Sequence, residues 1–416
     1  MALPATISVS FDFNSSATFG YPFTIGDEKF GKLGGVGTLA SSSVPIPVVD
    51  LSDQVRQISI RRGRNIMRDT YEAGSCTVRV TDTDGSWNPQ NVNSIYYPYL
   101  TPMRKLRVSA TTATTQQFLF SGYVESYKYT YPQSSTELGY VDIICSDAFR
   151  LMQLASVTTV TGGTLGQDTG ARIGKILDMM QWPSNMRTID SGNSTCIADP
   201  GYSRAGLEAI KNAEFSEQGA AYISAEGNFI FKNRTNVIKA AGDTPIEFNS
   251  TTGIPFKSLT YAFDDKLIVN SSDITRYGGV KQSAYNNDSI TKYFPHQSNQ
   301  SNLVVQTDAD ALNIAKIYVA TRAETSIRID SMGIDLLDPN VPTDTILGID
   351  YFTQLKITST QPDGSLIVKT LQAQGVNWDI SPNKLTAVFT TLEPIIEGFV
   401  IGSAVSGIIG QSIMAY

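Results

Sequence analysis

The chain is 416 residues long, with 32 Lys and Arg against 39 Asp and Glu, a formal net charge of −7. Hydrophobic residues at 41% and aromatics at 10% supply enough apolar surface for real cores and exclude a disordered chain. Only 17% of residues are charged, against about 25% in an average domain. The acidic balance leaves no basic footprint for sequence-independent nucleic-acid binding. Coiled coil, collagen-like repeat and nucleic-acid scaffold are therefore excluded, and a surface built from Ser, Thr, Asn and Gln suits β-rich extracellular or assembly proteins.

The N-terminus, Met1-Ala2-Leu3-Pro4-Ala5, has no basic region, and Ile7, Val9 and Phe11 alternate as in a strand, so the expectation is synthesis and folding in a cytoplasm. Gly26-Asp27-Glu28-Lys29-Phe30-Gly31-Lys32-Leu33 matches a phosphate-binding loop up to Lys32. Leu33 stands where a Ser or Thr must ligate magnesium, however, and two carboxylates sit inside the loop. Gly35 to Ala40 fits a loose dinucleotide fingerprint but runs into Ser41-Ser42-Ser43-Val44-Pro45, with no helix to receive a phosphate. Both read as part of residues 1–50, an N-terminal strand and a Gly-rich arm (Gly31 to Gly37) followed by Pro45 and Pro47.

Residues 51–160 alternate with period two, as in Val78-Arg79-Val80, Leu106-Arg107-Val108 and the tyrosine-rich run from Tyr123 to Tyr131. Turn signals at Asp84-Gly85 and Leu138-Gly139 divide them, and the prediction is an all-β block. Cys76 alternates with Val78 and Val80, and Cys145 follows Ile143 and Ile144, so both read as small buried hydrophobes. With Cys196 they form no Cys-x-x-Cys, which argues against a zinc site or a disulfide framework. Asp82-Thr83-Asp84-Gly85 hints at a calcium loop, but Ser86-Trp87-Asn88-Pro89 follows where a closing acidic ligand is required, so a strand-joining turn is the better reading.

The pattern changes near Gly162. Ile173, Ile176, Leu177 and Met180 have helical spacing and Pro183 stops the run. A second helix with Ser203 as its N-cap carries Leu207, Ile210 and Phe215, and a hairpin follows around Glu226-Gly227-Asn228. Residues 161–250 thus predict a small α+β module. Residues 251–395 return to strands, first from Leu259 to Val269, with one helix over Thr307 to Glu324 opened by a capping box of Thr307 and Asp310. Asp264 and Asp265, adjacent in a strand-like run, point to opposite faces and do not converge on a substrate. His296, the one histidine, lies in the polar loop Pro295-His296-Gln297 without a Ser or Cys elbow and reads as a surface imidazole. Asn-x-Ser/Thr sequons at Asn14, Asn193, Asn233, Asn249, Asn270 and Asn287 are what chance yields in such a composition.

Phe399 to Tyr416 carries no charge, but Gly402, Gly407, Gly410 and several serines dilute it, and Val400-Ile401-Gly402-Ser403 is echoed by Ile408-Ile409-Gly410-Gln411. An apolar hairpin over 396–416 that docks on another subunit fits better than a membrane span. The fold class is mainly β, with two β-barrel-like blocks flanking an α+β insert.

The ordered set Arg61-Arg62-Gly63-Arg64, Tyr71-Glu72-Ala73-Gly74-Ser75 and Asp84-Gly85-Ser86-Trp87-Asn88-Pro89 resembles the N-terminal domain of tail-tip hub proteins, the minor tail proteins of long-tailed bacteriophages. In that family an Arg-Gly-Arg turn precedes an Ala-Gly-Thr strand that ends in an Asp-Gly-Arg-Phe-Asp-Pro turn. Here Ser75 replaces the Thr, and Ser86, Trp87 and Asn88 replace Arg, Phe and Asp. Trp182-Pro183 and Asp190-Ser191-Gly192, then the hairpin ending at Phe229-Ile230-Phe231, and Ile380-Ser381-Pro382 occur in the family's order. The resemblance implies a baseplate-hub-like fold, a homotrimeric ring at the virion tail tip, and assembly in the host cytoplasm. The implied partners are tail-tube or distal tail proteins, a tail fibre or receptor-binding protein and the tape measure protein, with DNA as passing cargo. It implies no enzyme, cofactor, metal or membrane span. The alternatives are an adhesin binding host glycans through Tyr96-Tyr97-Pro98-Tyr99 or Tyr127, Tyr129 and Tyr131, and a cell-wall hydrolase, for which no acid/base pair is evident.

Overall fold

A computed structural model describes residues 3–22, 37–38, 48–66, 68–133, 138–249 and 252–393. The phosphate-loop-like stretch, most of the Gly-rich arm, Pro45 and Pro47, and the apolar C-terminal segment lie outside them.

Among the described residues, fourteen strands form one hydrogen-bonded sheet. The first β block contributes, in spatial order, Val48–Asp50, Thr6–Asp12, Lys105–Thr111, Gln116–Thr130, Tyr140–Ser146, Ser75–Thr81 and Val55–Asn65, each antiparallel to the next. Alternation drives this: in Ser75–Thr81 the residues Cys76, Val78 and Val80 are buried while Thr77 and Arg79 stay half-buried on the other face. The all-β expectation for this block misses one helix, Phe149–Leu154, whose six residues are too few to show a 3.6-residue period.

Val55–Asn65 does not end the sheet. Its second edge pairs with Leu366–Ser381 of the second β block, from Ile58 opposite Ile380 to Gly63 opposite Gly375. Lys384–Leu392, Arg328–Asp335 and Ser258–Ala262 continue outward, and Gln354–Thr360 with Ile246–Asn249 branch from the same long strand. The two blocks therefore share one ladder and one continuous apolar cluster, from Phe11 and Trp87 to Trp378 and Phe389. Asp264 and Asp265 are not in a strand: the ladder stops at Ala262, and the pair sits in the bend that follows, where Asp264 accepts from the Lys266 amide.

Two α+β modules pack beside this sheet. The first has helix Thr169–Met179, capped by Asp168 accepting from the Ala171 amide at 2.9 Å, and helix Gly206–Glu217. The second of these starts at Gly206 rather than at Ser203, because Arg204–Ala205 is taken by a short strand that pairs with Ser156–Val157. Its sheet orders Arg187–Ile189, Phe229–Lys232 and Ala220–Ile223. The second module, within 263–325, centres on Ser271–Arg276, flanked by Gln282–Tyr285 and Gln297–Leu303. Helix Asp308–Ala320 covers it, with the Thr307–Asp310 capping box formed, and buries Ala311, Ile314 and Ala315 against Ile274 and Leu303. Two further short helices, Asn287–Tyr293 and Thr343–Leu347, join the one predicted between 251 and 395.

Gly63 and Gly375 make the shared ladder possible. A Cβ on Gly63 would stand 2.6 Å from the Gly375 Cα and 3.1 Å from the Gln374 carbonyl oxygen. Gly63→Ala is expected to cost about 1–3 kcal/mol through overpacking against backbone that cannot move aside. Urea denaturation checks this: an unchanged midpoint would show that the two blocks separate freely here.

Candidate functional site

Where the ladder meets both modules, side chains from four parts of the fold converge. Arg64 comes from the end of the Val55–Asn65 strand, and the following turn brings Asp69 back beside it. Asp69 accepts from Arg64 Nη2 at 2.6 Å through Oδ1 and from Arg322 Nη2 at 2.7 Å through Oδ2. Arg322, two residues beyond helix Asp308–Ala320, lies 3.9 Å over the Tyr318 ring. Burial pushes the Asp69 carboxyl up, but the Arg64 and Arg322 guanidiniums outweigh it and hold the group below the usual carboxylate range. Tyr71 donates to Gln374 Oε1 at 2.8 Å, and its ring lies 4.9 Å from Tyr351 and 5.3 Å from Tyr222.

Arg62 occupies an inward position of its strand, in series with buried Ile58 and Ile60. It is 6% exposed, reaches Asp350 Oδ1 at 3.2 Å and lies 4.9 Å over the Tyr351 ring. Behind it, Asp147 accepts from the Gly74 amide at 2.6 Å and the Phe149 amide at 2.9 Å. Burial pushes the Asp147 carboxyl up to about 7, against the pull of those two amides and of Arg62.

The residues singled out by resemblance fall into four groups rather than one site. Arg61, Gly63 and Arg64 are strand, not turn, because the ladder to Leu366–Ser381 runs through Arg61 and Gly63, Arg64 pairs with Tyr71, and the turn comes only after Asn65. Ala73 and Gly74 lead into the next strand, and a Cβ on Gly74 would stand 2.9 Å from Asp147 Oδ2. Asp84 and Gly85 make a turn, with Gly85 at φ 70, and Trp87 drops into the core against Phe11 and Tyr96 with Pro89 beyond it. Trp182 donates to the Met186 carbonyl at 3.0 Å in the first α+β module, and Pro183 follows the end of its helix. Tyr96 is core, whereas Tyr129 and Tyr131 expose rings 5.8 Å apart. His296 Nε2 lies 3.0 Å from the Tyr293 carbonyl oxygen and 3.7 Å from Asp265.

Asp69, Asp147, Arg322 and Asp350 escape sequence reasoning, since each has a partner distant in the chain: Arg322 for Asp69, Gly74 for Asp147 and Arg62 for Asp350. Arg62 alone had a signal, the period-two position after Ile58 and Ile60. Among the described residues no three His, Cys, Asp or Glu side chains gather to hold a metal, and no helix is long and apolar enough to cross a membrane. The convergence of charge, amide and aromatic groups is fitted to fixing four parts of one chain together.

Asp69→Ala leaves two guanidiniums facing each other with little water, and is expected to cost about 3 kcal/mol, at the lower end for a broken buried pair. Arg322→Ala keeps the Arg64–Asp69 pair and should cost about 1–2 kcal/mol; equal, negligible effects in chemical denaturation would remove the node from the stability account. The Asp147 carboxyl titrates near 7 when folded and near its ordinary value, about 4, when unfolded. The folded state then binds the extra proton between these values, so stability falls as pH rises from about 4 to about 7 and levels off above. Asp147→Asn should flatten that slope in denaturation midpoints measured at pH 5 and pH 8, at the expense of one amide hydrogen bond.

No protein-family model matches the chain, and no curated protein does. Solved structures do. The 43 kDa tail protein of prophage MuSo2 from Shewanella oneidensis superposes with a TM-score of 0.53 at 11% identity, over 83% of this chain and 96% of that one. The tail protein from Neisseria meningitidis MC58 gives 0.52 at 11% identity, over 82% and 93%. At such identity the likeness is one of fold: this chain has the mainly-β fold of those tail proteins.

Proposed function

We propose that the chain is a structural subunit of a phage tail tip, a hub whose three copies form a ring between the tail tube and the receptor-binding or fibre parts and enclose the DNA exit channel. The observation that carries this reading is the fusion of two β blocks into one sheet within a fold shared with the prophage MuSo2 tail protein and the Neisseria tail protein. Two β blocks per chain, in three copies, offer six related faces to a sixfold tube while keeping threefold symmetry toward a central fibre. The net charge of −7 suits a conduit, since a basic lumen would retain a passing polyanion. The tube protein, the fibre and the tape measure protein are the neighbours this position implies, and the virion tail tip is the location.

Native mass spectrometry of the purified chain, or electron microscopy of isolated tails, tests this. The expected species has three times the 45.2 kDa chain mass and sits as a ring at the tip. A monomer that never enters tails would overturn the reading.

A further inference from the structure

Phe294 is 79% exposed, more than any other described large hydrophobic residue. Its backbone sits at φ 63, ψ 172, a region that glycine populates and other residues enter only under constraint. The constraint is visible. Asn270, fully buried, donates through Nδ2 to the Phe294 carbonyl at 2.8 Å and accepts at Oδ1 from the His296 amide at 2.7 Å. The Asn270 amide donates in turn to the His296 carbonyl at 3.1 Å. Buried hydrogen bonds thus hold a strained turn whose outward product is a phenyl ring in water.

The strand that follows, Gln297–Leu303, is an edge of its sheet: among the described residues no strand pairs with its outer side. From Phe294 to Thr307 there is no Asp, Glu, Lys or Arg, so the edge lacks the charges that commonly block strand addition. Tyr285, 65% exposed, pairs with Ser271, which pairs on its other side with Gln297. A second exposed ring therefore lies in the first row of the same sheet.

We propose that this face docks an extended, uncharged segment of a different tail protein, which adds as a strand along Gln297–Leu303 and seats the Phe294 ring in an apolar socket. A charged group on that segment would lose water with no counter-ion along 294–307. The inference rests on the threefold hub proposed above. In such a ring two copies cannot pair this edge with itself antiparallel, because that arrangement requires a two-fold axis.

The test uses tails of the phage that encodes the chain. With Phe294→p-benzoylphenylalanine, irradiation should give one product joining this chain to a second, different tail protein. A product between two copies of this chain, or none although the chain is in the tails, overturns the inference; absence of the chain from tails overturns the hub reading instead. Phe294→Gly, which removes both ring and strain, should keep or raise the melting temperature while lowering tail incorporation at least tenfold. Normal incorporation of Phe294→Gly counts against the proposal.

Discussion

Two glycines facing each other across a ladder, Gly63 and Gly375, set the geometry on which the rest of this chain depends. Strands that close with no side chain between them lock the angle at which the two β blocks meet. Everything lateral to that line follows from it. Arg62 is turned inward beside Ile58 and Ile60, and the approach of Asp350 and Tyr351 from the second block helps make a buried guanidinium tolerable there. The modules then fill the angle between sheet and loops, with Tyr71, Tyr222 and Tyr351 as the shared surface.

The polar node around Asp69 adds specificity more than strength. A buried ion network roughly balances its desolvation cost, whereas an apolar contact of similar size gains from burial without needing a defined partner. What the network supplies is a unique arrangement: Arg64, Asp69 and Arg322 satisfy one another only when the first block and the second module sit in one relative position. Aromatic rings stacked nearby tolerate small slides, and the bidentate use of one carboxylate does not.

Much of the fold was legible in the sequence because its strands are long and bury one face. Cys76, Val78 and Val80 announce themselves by period two, and the Thr307–Asp310 box marks a helix start that the structure reproduces. Short helices such as Phe149–Leu154 escaped, having too few residues for a period. The α+β arrangement within 263–325 also escaped, since Gln297–Leu303 is polar on both faces and gives no alternation. The node was illegible for a different reason: a local turn sets Asp69 beside Arg64, but Arg322 reaches it from 253 residues away, which no local pattern encodes. The Arg-Gly-Arg stretch, a turn by resemblance, is strand in the structure, because a turn and a glycine-to-glycine crossing both ask for a residue without Cβ.

The shared ladder also has a history in time. Gly63 leaves the ribosome 375 − 63 = 312 residues before its partner Gly375, which at roughly 5–20 residues per second is a wait of about 15–60 s. Through that interval the first block can complete its own sheet, but the outer edge of Val55–Asn65 has nothing to bind. An unpaired strand edge on a nascent chain is an invitation to the neighbouring nascent chain on the same message. Arg56 and Arg61, both exposed on that strand, then acquire a use during synthesis, as charge that keeps such edges apart until Leu366–Ser381 emerges.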